Sequence, residues 1–72
     1  MHTLDDLALA TRHVADGERR IRAQRALVAR LEGHGLPTGQ ANSLLGVFLV
    51  TLGHMQQHVR AIEEDMDRPA GP

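Results

Sequence analysis

The chain has 72 residues, a formal charge of −1 at pH 7, 42% hydrophobic and 24% charged residues, and Phe48 as its one aromatic side chain. A chain this short buries only about 60% of the surface its unfolded form exposes, which leaves no room for a deep enzyme core. The lack of cysteine excludes disulfide scaffolds and thiolate metal sites, and the basic charge, eight arginines and no lysine, gives no overall excess for nucleic acid.

The opening residues Met1-His2-Thr3-Leu4-Asp5-Asp6 contain no basic n-region, apolar h-region or small-residue cleavage site, so a cytoplasmic location is expected. Thr3 with Asp6 three residues on is a near relative of the capping box, and Asp5 and Asp6 stand where carboxylates suit the positive end of a helix dipole. A first helix follows over 4–32. Its apolar residues Leu7, Val14, Ile21 and Val28 form one heptad series, with Ala10, Gly17, Gln24 and Leu31 at the companion positions. Gly17 costs about 1 kcal/mol against alanine in a helix interior, and with Ala10 it lets a second helix approach closely.

Residues 33–38, Gly-His-Gly-Leu-Pro-Thr, form the break. A glycine supplies the left-handed C-terminal cap, Leu36 is pushed extended by the proline after it, and Thr38 offers an N-cap hydroxyl. The second helix, over 39–66, carries Ala41, Leu45, Phe48, Leu52, Met55, Val59, Ile62 and Met66 at alternating spacings of four and three. Two helices of about 40 Å joined by a short turn give an antiparallel hairpin. The expected fold is therefore all-α: a single coiled-coil-like two-helix hairpin over 1–68, with a disordered tail over 69–72.

One hairpin does not account for every apolar residue. Leu44, Val47, Leu49 and Val50 lie off the seam of the second helix, so 44–52 is apolar almost all round, and Leu4, Leu9 and Leu27 lie off the seam of the first. Burying four to six such side chains, at about half of the 1.5–3 kcal/mol each that full burial brings, contributes several kcal/mol. The expectation is a homodimer forming a four-helix bundle, with Leu44, Val47, Phe48, Val50, Leu52 and Met55 as its interface. A helix from another protein docked on the same face is the competing occupant.

Charge placement agrees. Arg19, Arg20, Arg22, Arg25 and Arg30 form an acid-free stretch, residues 38–59 carry no charged side chain of Asp, Glu, Lys or Arg, and Glu63, Glu64, Asp65 and Asp67 crowd the far end beside Asp5 and Asp6. Two hairpins packed antiparallel bring opposite signs together. The arginine face, with Arg12, Arg19, Arg22 and Arg30 turned outward, offers an alternative contact for nucleic acid or another polyanion. The net charge, the lack of stacking aromatics and the absence of a short recognition helix argue against it.

Among the five histidines, His54 and His58 stand at i and i+4, and antiparallel pairing places His13 near them. Three imidazoles from two helices form a candidate divalent-metal site, or a pH-responsive bundle. The string His-Met-Gln-Gln-His lacks the glutamate that follows the first histidine in zinc-protease helices. No catalytic residue and no cofactor are expected, since Cys and Lys are absent, Ser43 is the sole serine and the carboxylates sit at helix ends. Polar residues flank the apolar core of 44–52, which is well short of the roughly 20 residues needed to cross a bilayer.

The segments Leu4-Asp5-Asp6-Leu7, His13-Val14-Ala15-Asp16-Gly17-Glu18-Arg19-Arg20-Ile21, Arg25-Ala26-Leu27-Val28-Ala29-Arg30-Leu31-Glu32 and Leu44-Leu45-Gly46-Val47-Phe48 resemble a group of short alphaproteobacterial helical-hairpin proteins of unknown function. The resemblance implies a soluble two-helix protein and no particular activity. Members of that group carry acidic or polar residues between Phe48 and His54, where this chain has Leu49-Val50-Thr51-Leu52-Gly53, a departure that favours a covered surface there.

Overall fold

The computed structural model describes residues 2–68, and the tail expected over 69–72 lies outside the described residues. Two helices, α1 (Leu4–Gly33) and α2 (Gly39–Asp67), pack side by side. At 30 and 29 residues each is about 45 Å long, one residue longer at its C-terminal end than the sequence pattern set it.

The start of α1 is the capping box read from Thr3 and Asp6. Thr3 is extended, its hydroxyl accepts from the Asp6 N–H at 3.2 Å, and the Asp6 carboxylate accepts from the Thr3 N–H at 3.0 Å. Two helix-end donors are thereby satisfied reciprocally. The bond from the Thr3 backbone holds the Asp6 carboxyl below its usual range; partial desolvation opposes this, while the Thr3 hydroxyl and the nearby His2 add to it.

The end of α1 is a Schellman motif. The Leu36 N–H donates to the Leu31 carbonyl at 2.8 Å and the Gly35 N–H to the Glu32 carbonyl at 3.0 Å. Gly35 is the residue that turns left-handed, at φ 67°, while Gly33 stays helical. Such a backbone strains any residue with a Cβ, which is why the second glycine of the pair takes the cap.

Thr38 does not cap α2 with its hydroxyl as expected. Its backbone sits at φ −113° and ψ 0°, and no side-chain cap bond forms. With ψ near zero the hydroxyl is not turned toward the first-turn amides, as an extended N-cap residue would turn it. It accepts instead from the Asn42 side chain at 3.2 Å, and the Thr38 carbonyl accepts the Asn42 N–H at 2.8 Å.

The heptad positions of both helices face each other. Ala10, Ile21, Gln24 and Ile62 are buried, and the remaining seam residues of both series are half-buried. Gln24, the one amide in the seam, donates from Nε2 to the Ala41 carbonyl at 2.9 Å and pins the antiparallel register, because a slip would leave the buried amide unpaired. At the open end the His2 N–H donates to the Asp65 carboxylate at 3.2 Å, so the acidic terminus of α2 has a donor there as well as like charges.

Gly17 marks the closest approach. A Cβ on it would stand 3.3 Å from Leu52 Cδ1 and 3.5 Å from Met55 Sδ. The nearer atom is the tip of a half-buried leucine that can give by a few tenths of an ångström. Gly17→Ala is therefore expected to gain most of the roughly 1 kcal/mol of helix propensity, raising Tm by a few degrees, about 4–8 °C at most. Gly17→Leu is expected to wedge the helices apart and lower it. Thermal unfolding followed by helical circular dichroism measures both.

Candidate interaction surface

The packing of α2 on α1 divides the expected interface set in two. Phe48, Leu52 and Met55 are half-buried on the seam, whereas Leu44, Val47 and Val50 stay exposed. Arg20 lies over the Phe48 ring, 5.7 Å from its centroid, a cation–π contact that covers one face of the ring from α1. So Phe48, Leu52 and Met55 serve the hairpin itself, and the uncovered surface is centred on Val47 and Val50, exposed at 58% and 61%.

That surface is a shallow, open stretch of a single helix face. Ser43, Gly46, Val47, Val50, Thr51 and His54 line one open hollow along α2. Gly46 carries no side chain there, and open space lies where its Cβ would be. The Thr51 hydroxyl donates to the Val47 carbonyl at 2.9 Å, a bond back into its own helix that leaves the methyl group to the surface. None of the six lining side chains is an acid or an arginine. Leu44 and Leu49 add exposed apolar area on its flanks.

The amount of exposed surface is large for the mass. The chain presents 5595 Å², about 1,200 Å² more than the roughly 4,400 Å² of a compact monomer of 7.9 kDa. An interface of standard size covers about 800 Å² per partner, so covering this face removes about two-thirds of that excess.

The histidines do not assemble as the sequence spacing implied. His13 and His58 line a hollow of about 370 Å³ at the open end with His2, Asp6, Leu9 and Ala10, and the His2 and His58 rings meet edge to face at 6.0 Å. His54 lies on the other hollow, beside Val50 and Thr51. Four residues turn an α-helix through about 400°, so the second imidazole of an i,i+4 pair sits about 40° further round; at the edge of the seam that is enough to put His58 near α1 and His54 on the outer face. Among the described residues no group of three or more His, Cys, Asp or Glu is placed to hold a metal ion, so His13, His54 and His58 do not form the ligand set expected of them.

The arginine stretch is partly engaged within the hairpin. Arg19 pairs with Asp16 one turn earlier on α1, and Arg20 is taken up by Phe48. Sequence reasoning missed both: Asp16 lies just ahead of the acid-free run, and a cation–π partner on another helix leaves no local pattern. Among the described residues no helix is long and apolar enough to cross a membrane. No family model matches the chain, and comparison with curated proteins and with solved structures finds no similar protein.

Proposed function

We propose that this chain is a non-catalytic interaction module that works by self-association, two hairpins joining into a four-helix assembly through the outer face of α2. The observation that supports this reading most directly is the exposure of Val47 and Val50 on a helix face with no ionised neighbour, in a chain whose buried hydrophobic side chains are Ala10, Ile21 and Ile62 among the described residues. A two-layer hairpin with so little interior is marginal alone, and association adds the burial it lacks. The chemistry of the exposed residues favours packing over catalysis, because among the described residues no hydrogen bond pairs a nucleophile with a base, and six of the nine carboxylates crowd the open end.

Self-association couples folding to concentration. Thermal unfolding followed by circular dichroism is therefore expected to shift to higher Tm as protein concentration rises a hundredfold. A Tm independent of concentration over that range overturns the reading.

A further inference from the structure

We infer that the two copies pack α2 against α2 antiparallel, about a two-fold axis between Phe48 and Leu49, so that Val47 meets the partner's Val50, Gly46 the partner's Thr51, and Ser43 the partner's His54. This rests on the self-association proposed above and deepens it by fixing the surface, the direction and the register. A two-fold interface requires one stripe that fits its own reversal. On any helix face the spacing of positions such as 43, 46, 47, 50, 51 and 54 reads the same from either end, so the order of residue types decides whether a stripe fits its reversal. The hollow on α2 is ordered symmetrically, with a polar residue at each end, a small or methyl-bearing residue next, and valines at the centre.

Three features select the antiparallel direction. Gly46 leaves open space where a Cβ would stand, and Thr51 presents a methyl because its hydroxyl is bonded to the Val47 carbonyl. Antiparallel pairing fills the gap over Gly46 with the partner's Thr51; parallel pairing sets gap against gap and methyl against methyl. Antiparallel pairing sets the small Ser43 against the bulkier His54 at both ends, whereas parallel pairing crowds two imidazoles at one end and leaves two small hydroxyls at the other. Finally, parallel chains align the acidic ends carrying Glu63, Glu64 and Asp67, while the antiparallel register separates them to opposite ends of the pair, each past the partner's turn at the level of His34. Each α1 lies on the far side of its own α2, so the four helices form a layer ordered α1, α2, α2, α1.

The chain has no cysteine, so single-cysteine variants read the register directly. Ser43→Cys and Ser43→Cys are held about 16 Å apart along the axis in the antiparallel dimer, eleven residues at 1.5 Å each, and the same holds for two copies of His54→Cys. An equimolar mixture of Ser43→Cys and His54→Cys is expected to form a disulfide-linked dimer under mild oxidation, and each variant alone to form little. The exposed pair Gln40→Cys and Gln57→Cys at the rim of the same stripe repeats the test without touching the contacts themselves, and helical circular dichroism shows that each variant is folded. Cross-linking of Ser43→Cys alone gives the parallel arrangement and overturns the inference, as does a two-chain mass without cross-linking in either mixture, which places the interface elsewhere. A single-chain mass for the unmodified protein overturns self-association itself.

Discussion

Replacing Val47 by glutamate is expected to convert a two-chain species into single chains while each hairpin keeps its helical signal. Val47 is 58% exposed in the single hairpin and points away from α1, and glutamate is a good helix former, so the substitution leaves the hairpin intact. In the assembly two carboxylates, one from each copy, are carried into an uncharged apolar contact. Removing each from water costs several kcal/mol, with no arginine on the stripe to offset it. At 1.4 kcal/mol per decade the dissociation constant rises at least a hundredfold, roughly. Sedimentation velocity at tens of micromolar reads the change in mass, and circular dichroism reads the retained helix. Val47→Leu is the control, expected to remain two-chain because it keeps the surface apolar.

The opposite pattern is expected at Ile62. It is the one large side chain fully buried among the described residues, at 1% exposure, and it packs inside the hairpin near its open end. Ile62→Ala removes apolar contact and leaves a void, which costs about 2–5 kcal/mol at buried sites. In a chain of this size that corresponds to a fall in Tm of roughly 8–40 °C. The folded fraction, measured at low temperature and high concentration, is expected to remain two-chain, since the α2 outer face is untouched. Val47→Glu and Ile62→Ala together separate the surface that joins two copies from the seam that holds one together; equal effects of both on mass would mean that no such division exists.

Most of the seam was legible in the sequence, although Leu27, set off it by the heptad count, is half-buried in the hairpin. Heptad spacing reports which side of a helix is apolar, and Leu7, Val14, Ile21 and Val28 on one arm meet the unbroken series from Ala41 to Met66 on the other. The capping box was legible for a similar reason, since Thr3 and Asp6 interact within one turn. What stayed hidden depends on how the arms sit against each other. Periodicity does not give the angle at which a residue stands to a second helix, so His54 and His58 looked like one face and are on two, and Phe48, Leu52 and Met55, placed by the sequence both on the seam and in the interface, are half-buried against α1. Gln24 stood in the sequence only as a polar companion residue of the seam; its bond to the Ala41 carbonyl, which pins the register, depends on the second helix and leaves no local pattern. The turn showed its glycines but not which of the two takes the left-handed backbone; that is set by where the last carbonyls of α1, on Leu31 and Glu32, find their donors.

Sedimentation equilibrium on the unmodified chain, followed by peptide absorbance because it has no tryptophan or tyrosine, is the most direct measurement. A single species at twice the 7.9 kDa chain mass, dissociating on dilution, is the expected result. A chain that stays at 7.9 kDa from micromolar to several hundred micromolar, fully helical and cooperatively folded, would contradict it.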